Sequence, residues 1–393
     1  MYFLYYIYIL FLFINVNDSF LFTKSQHPKG DLRLNSVNYV YGKEYIQYLK
    51  DYNVIDLDKY QNKNYVLSNS LDTDSIYDSI IESRKDRYFI FEKNLKSIKE
   101  FNKNNDNIEL DINQFADKLD FTNQYPKDLM DNPLKLNETE IELNRKLIIQ
   151  KWIKNKLFNS VKKRFVNWKR YLSPIKNQGY CGSCWAFSTT SSLEGHMRIK
   201  GYNVTRLSEQ ELVDFSKENH GCNGGLMHLA YDYIIQKKGM VSNIDYPYLA
   251  KENKCDCHTT MIDKCILDID EYNFTKVKGS NIIDYQFTIP KSRSSIIKSL
   301  QHGPVAIALD ASHFAFRFYK KGVIDIPWNQ SEGINHAVLL TGYEKDENGS
   351  YWIIQNSWGE TWGDNGFAKI RVRPGYGSLL TQIYGVSPIL NNL

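Results

Sequence analysis

Cysteine is scarce, with six in 393 residues, too few to staple a chain of this size as a disulfide scaffold. Charge of one sign is also scarce. Lys and Arg number 49 against 45 Asp and Glu, a formal net charge of +4, too mild to argue for a nucleic-acid partner. There is no internal repeat. Hydrophobic residues at 42% and charged residues at 24% exclude both a wholly disordered chain and a multi-span membrane protein. Aromatics are plentiful, with 28 Tyr, but they come with abundant Lys, Asn and Ile. That company marks a base-composition bias rather than a binding code. The length predicts two or three folding units at about 100–200 residues each.

Tyr2 to Ile14 is an apolar run of 13 residues, short of the about 20 a spanning helix needs and within the about 7–15 of a signal core. Residues 1–19 therefore read as a secretory signal, or as an uncleaved anchor helped by Phe20-Leu21-Phe22. Either places the rest in a disulfide-permissive lumen. Residues 20–74 are polar, without sustained period, and read as a weakly structured lead-in. Over Asp78–Asn102, the residues Arg87, Phe91, Asn94, Ile98 and Asn102 share one helical face. Two Asn and an Arg are unusual in a core stripe, so this face is expected to dock on something specific. Asn113-Gln114-Phe115-Ala116-Asp117 follows, then a charged stretch ending in Lys162-Lys163-Arg164, a processing site or a solvated run.

From Val166 the texture changes. A helix is expected from Cys184, a capping box at Ser208-x-x-Glu211, and a helix over Leu226–Gln236 stopped by Gly239. Strands are expected at Val305–Leu309, Ala337–Tyr343, Tyr351–Gln355 and Phe367–Arg373, with a turn at Asp346-Glu347-Asn348-Gly349. Helices first and strands later predict an α+β fold, a helical part packed on a sheet part.

The densest chemical signal is Gln178-Gly179-Tyr180-Cys181-Gly182-Ser183-Cys184-Trp185. A Cys in the first turn of a helix sits in the partial positive charge of unpaired N–H groups, which favours a thiolate. An efficient nucleophile also needs an imidazole, and His336 in Ile334-Asn335-His336-Ala337 is the candidate. Asn356 is placed to accept the imidazole N–H, with Trp358 beside it to exclude water. Gln178 and the backbone N–H of Cys184 are candidates for oxyanion donors. Taken alone, Cys181-x-x-Cys184 equally suits a redox or zinc motif; neither use explains His336, Asn356 and Gln178. Cys255-x-Cys257-His258 with Cys265 resembles a metal knuckle less well than a loop disulfide.

These motifs resemble those of the papain family of cysteine proteases, in its cathepsin L-like branch, made as zymogens; the Cys-Gly-Ser-Cys-Trp run is a known signature of that family. The resemblance covers roughly Phe165 to Val386, with Gly221-Cys222-Asn223-Gly224-Gly225 and Asn356-Ser357-Trp358-Gly359 as further matches. Upstream, the helical stripe is similar to the family's prosegment pattern, with Ser83 where a Glu is usual, and Asn113/Phe115/Asp117 resembles its second motif, with Asp111 in place of Gly. The resemblance implies a papain-like two-lobe fold, a helical lobe and a β-barrel-like sheet lobe with the active site in the cleft, preceded by a helical inhibitory prodomain. Residues 75–161 would be the inhibitory propeptide and 162–393 the peptidase domain. It further implies a Cys181–Cys222 disulfide; the family's second disulfide is absent, since Phe215 stands at its first position. Substrate backbone would pair with Gly224 and Gly225, and Leu226, Met227, Ile334 and Ala337 would wall an apolar pocket for Leu, Val or Phe.

The expected activity is peptide-bond hydrolysis by an endopeptidase through a Cys184 thioester, with His336 as base, Asn356 orienting it and Gln178 on the oxyanion. An exopeptidase of the same fold and a non-catalytic protease-like binding protein are the alternatives. No cofactor and no metal are expected. The implied partners are peptide and protein substrates, the chain's own propeptide and cystatin-like inhibitors, with no nucleic acid, in a monomer. The implied location is the secretory pathway, in an acidic lysosome-like or food-vacuole-like vesicle or outside the cell. Loss of charge at Asp117 and its neighbours in acid is expected to loosen the propeptide.

Overall fold

The computed structural model describes residues 39–54, 73–118, 165–253, 268–289, 292–326, 334–372 and 385–391. The leader, the Lys162-Lys163-Arg164 run, Cys255, Cys257, His258 and Cys265 lie outside these residues. Contacts divide the chain into Met1–Val40, of which only the last two residues are described, and Tyr41–Leu393; everything below concerns the second unit.

It begins with α1 (Gly42–Asp51), α2 (Thr73–Ser83) and α3 (Lys85–Lys103). Helix α1 corrects the reading of residues 20–74 as weakly structured. Its Tyr45, Ile46, Tyr48 and Leu49 are all buried, a helical stripe whose tyrosines merge into the Tyr-rich background of the sequence. The rings of Tyr45 and Phe91 lie 5.0 Å apart, and those of Tyr48 and Phe91 5.1 Å. Among buried aromatics such pairs add about 0.5–1.5 kcal/mol each beyond area burial.

The polar members of the α3 stripe clasp the next segment. Asn102 donates to the Leu110 carbonyl at 2.8 Å and accepts from the Leu110 amide at 2.8 Å. Asn94 donates to the Ala116 carbonyl at 2.8 Å, and Arg87 lies 3.6 Å from Asp117. Asp117 is buried and also accepts from the Tyr48 hydroxyl at 2.8 Å. The segment so held contains β1 (Ile108–Leu110).

After the short β2 (Val166–Asn167), three helices follow: α4 (Cys184–Ile199), α5 (Glu209–Phe215) and α6 (Met227–Gln236). Ser208 caps α5 by accepting the Glu211 amide at 3.0 Å. The Glu211 carboxylate does not complete the expected box; it accepts from the Val241 amide and from Lys276. Gly239, at φ 127°, ends the turn after α6. These helices bury Trp185, Met197, Leu212, Tyr231 and Ile234 in one core with Val386 and Leu390.

The remainder is β3 (Ile282–Phe287), α7 (Arg293–Leu300), β4 (Val305–Leu309), α8 (Phe314–Arg317), β5 (Tyr319–Gly322), β6 (His336–Asp346), β7 (Gly349–Gln355), β8 (Phe367–Arg371) and β9 (Val386–Leu390). A seven-stranded sheet has the order β3-β9-β4-β6-β7-β8, with β2 on β6. The β6–β7 hairpin closes through Asp346 opposite Gly349, as the turn residues indicate. Strand β1 pairs antiparallel with β5, so the segment gripped by α3 is stitched onto the sheet part. At that seam a Cβ on Gly322 would stand 2.3 Å from the Asn107 carbonyl oxygen.

Candidate active site

Cys184 is the first residue of α4 and is buried. The helix start is locally determined: the Ser183 carbonyl accepts from Ala186 and Phe187, leaving the first-turn N–H groups directed at the thiol's surroundings. Burial pushes the thiol up to about 11, against backbone hydrogen bonds at Ala337, Trp185 and Cys184 itself that favour the thiolate. Cys184 packs with Met227, Ala306 and Ala337, so the nucleophile's wall is apolar and continuous with β4 and β6.

The loop before it is fixed from two sides. Cys181 is disulfide-bonded to Cys222, and the Gly182 amide donates to the Cys222 carbonyl at 2.8 Å; a Cβ on Gly182 would meet that oxygen at 2.4 Å. Asn219 organises the Gly224-Gly225 turn through a 2.7 Å bond from the Leu226 amide to its Oδ1. A Cβ on Gly225 would fall 2.3 Å from the same oxygen. Leu226 is half-buried at the head of α6, and Ile334 is half-buried two residues before His336.

His336 opens β6 opposite Leu309 of β4. Its Nε2 lies 2.7 Å from Asn356 Oδ1, and the Ser357 amide donates to that same oxygen at 2.8 Å. The backbone amide of Ser357 can only donate, which identifies the shared atom as the carboxamide oxygen. Nε2 therefore carries the proton, and Nδ1 is the lone-pair nitrogen of the neutral ring. The Trp358 ring stacks on His336 at 4.7 Å and 30°. Burial pushes His336 down to about 4, with the Asn356 bond acting in the opposite direction. Burial thus acts against charge on both groups.

Gln178 is buried and oriented at both ends. Its Nε2 donates to the Cys181 carbonyl at 2.9 Å, and its Oε1 accepts from the Ser357 hydroxyl at 2.7 Å. The Tyr248 hydroxyl donates to the Gln178 carbonyl at 2.8 Å. Ser357 and Tyr248 are positioning groups that sequence reasoning missed; only Ser357 lay inside a recognised motif. Behind them Lys176 is buried against Glu194 of α4 at 2.9 Å and Glu209 of α5 at 2.5 Å, tying the segment before Gln178 to the helix that carries Cys184.

The α3-gripped segment reaches this site. The Phe115 ring meets Trp358 edge-on at 5.2 Å, and Gln114 donates to the Trp358 carbonyl at 2.6 Å. Asn113 donates to the Arg317 carbonyl at 2.8 Å, while Arg317 donates to the carbonyls of Phe115 and Lys118 at 2.9 and 2.7 Å.

Residues 161–380 match the model of the papain family of cysteine proteases, and residues 45–120 match the cathepsin propeptide inhibitor domain. Cathepsin J of Rattus norvegicus is 36% identical over 72% of this chain and 79% of its own length. A KDEL-tailed cysteine endopeptidase of Arabidopsis thaliana is 33% identical over 74% and 75%. Among solved structures, the recombinant stem bromelain precursor superposes with a TM-score of 0.64 at 27% identity, covering 89% of this chain and 99% of that one. The proform of a cysteine protease that is a major ragweed pollen allergen gives 0.60 at 28%, covering 81% and 94%.

Proposed function

The chain belongs to the papain family of cysteine proteases and carries a cathepsin propeptide domain, and from this we propose that it is an endopeptidase made as a zymogen, with Cys184 as nucleophile. His336 Nδ1 takes the thiol proton while Sγ attacks the carbonyl carbon of the scissile bond. The oxyanion is held by Gln178 Nε2–H and the Cys184 backbone N–H. The imidazolium, kept in orientation by Asn356, gives its proton to the leaving amine as the C–N bond breaks. Water, deprotonated by the same nitrogen, then cleaves the thioester and frees the acid. The observation that carries this reading is the oriented pair of amides, Asn356 on His336 and Gln178 at Cys181, around a cysteine at a helix start.

Endo- rather than exopeptidase action is supported by the Arabidopsis relative's name and by the sequence, which offers only His258 in the region corresponding to the occluding loop, where cathepsin B-like enzymes carry paired histidines. The apolar wall of Met227, Ala306 and Ala337 suits Leu, Val or Phe two residues before the scissile bond. The leader at residues 1–19 supports entry into the secretory pathway.

Titration of the processed chain with an irreversible thiol-directed peptide inhibitor tests the reading. Stoichiometric loss of peptidase activity, absent from Cys184→Ala, is expected. Activity in Cys184→Ala above about a thousandth of the original kcat would overturn it.

A further inference from the structure

Tyr180 stands two residues after Gln178, exposed to 72%, a large aromatic on the rim of the site with no part in the chemistry above. Its backbone neighbours are held on both sides, Gly179 by the hydrogen bond from its amide to Asn177 Oδ1 and Cys181 by the disulfide to Cys222 and the Gln178 side-chain amide, so the ring is presented from a fixed base. What lies on it is a cation. The Lys118 ammonium sits 4.1 Å from the ring centroid and donates to the phenol oxygen. The same residue's carbonyl accepts from Arg317 at 2.7 Å. One lysine is thus held at both ends, backbone on Arg317 and side chain on Tyr180. The two cations coexist because the guanidinium takes the backbone while the ammonium reaches away to the ring.

We propose that, once the prosegment has left, Tyr180 forms a subsite on the leaving-group side of the cleft that binds a basic side chain of the protein substrate. The proposal rests on the endopeptidase reading. Lys118 follows within the segment whose Gln114 and Phe115 dock on Trp358, and Trp358 stacks on His336, the group that gives its proton to the leaving amine in the mechanism proposed above. A cation over an exposed ring gains about 0.5–1 kcal/mol, equivalent to roughly two- to fivefold in kcat/KM.

The test is a set of internally quenched peptides with one common acyl half and Lys, Ala or Glu placed in turn at the three positions after the scissile bond, cleaved by the processed enzyme and by Y180A and Y180F. The expected result is a Lys-to-Ala ratio of roughly two to five at one position, lost in Y180A and kept in Y180F, whose ring still faces the cation. A ratio near one at every position, or one that survives in Y180A, overturns the inference and leaves Lys118 on Tyr180 as a contact of the zymogen only. No cleavage of any peptide by the unsubstituted enzyme would instead overturn the endopeptidase reading beneath it.

Discussion

Asn356 and Ser357 are adjacent and orient different groups: the first holds His336, the second holds Gln178. Removing the Ser357 hydroxyl leaves the Gln178 carboxamide free to turn its nitrogen away from the oxyanion. Ser357→Ala should therefore lower kcat with little change in KM, by less than the about 10²–10³ expected for Gln178→Ala; steady-state kinetics on one peptide distinguish the two. Cys184, His336, Asn356 and Gln178 are legible in the sequence because their chemistry tolerates few residue types. Ser357 and Tyr248 are not. They act by hydroxyl bonds to a residue 179 and 70 positions away, and a hydroxyl in sequence carries no mark of its partner. His196 gives a second residue-scale expectation. Burial pushes it down to about 4 while its ring nitrogen lies 3.1 Å from the Pro304 carbonyl. The unfolded chain takes up this proton near pH 6.5 and the folded chain only near 4. The neutral ring's contribution is therefore fully present above about pH 6.5 and is lost as pH falls to about 4, a difference of about 3 kcal/mol. Thermal unfolding of the zymogen across that window should show the decline, with a smaller slope in His196→Gln.

Elements differ in how far they declare themselves. Helix α4 and strands β4, β6, β7 and β8 have their own periodicity or β-branched runs, and turn residues bound the β6–β7 hairpin. Strands β3 and β9 do not: β3 reads Ile-Ile-Asp-Tyr-Gln-Phe without clean alternation and gains its identity from pairing with β9, about a hundred residues on. The stripe of α3 is legible as a docking face because its asparagines make no sense in a core, and they bind backbone of the segment around β1. Asn102→Ala removes both bonds to Leu110 and should weaken inhibition by the separate prosegment; about 1–3 kcal/mol for the unsatisfied backbone groups corresponds to roughly five- to 150-fold in the inhibition constant. Lys176 links α4 to α5. Lys176→Met leaves two buried carboxylates without their cation and should cost about 3–5 kcal/mol of stability, seen as a lowered Tm. Phe215 packs on Tyr246 at 5.8 Å and Tyr272 at 6.4 Å.

For the whole molecule, burial opposes charge on the Cys184–His336 pair, pushing the thiol up to about 11 and the imidazole down to about 4. If removal of the prosegment admits solvent to this pair, charge separation costs less and proton transfer from Cys184 to His336 is favoured. Alkylation by iodoacetamide at pH 5–6 should be slow for the zymogen and faster by orders of magnitude for the processed enzyme. Equal rates would show that the prosegment does not control the ionisation of the pair.

The seam between β1 and β5 joins two parts of one chain, and that makes silence a question of concentration. While residues 119–164 are intact the prosegment cannot diffuse away; a tethered partner is present at an effective concentration of about millimolar order. One cut in that stretch breaks no contact at Trp358, Arg317 or Gly322, but turns a unimolecular embrace into a bimolecular complex. The same cut would then leave the protease quiet in a crowded vesicle and switch it on in a large volume, so that dilution, as much as proteolysis, sets the moment at which it begins to work.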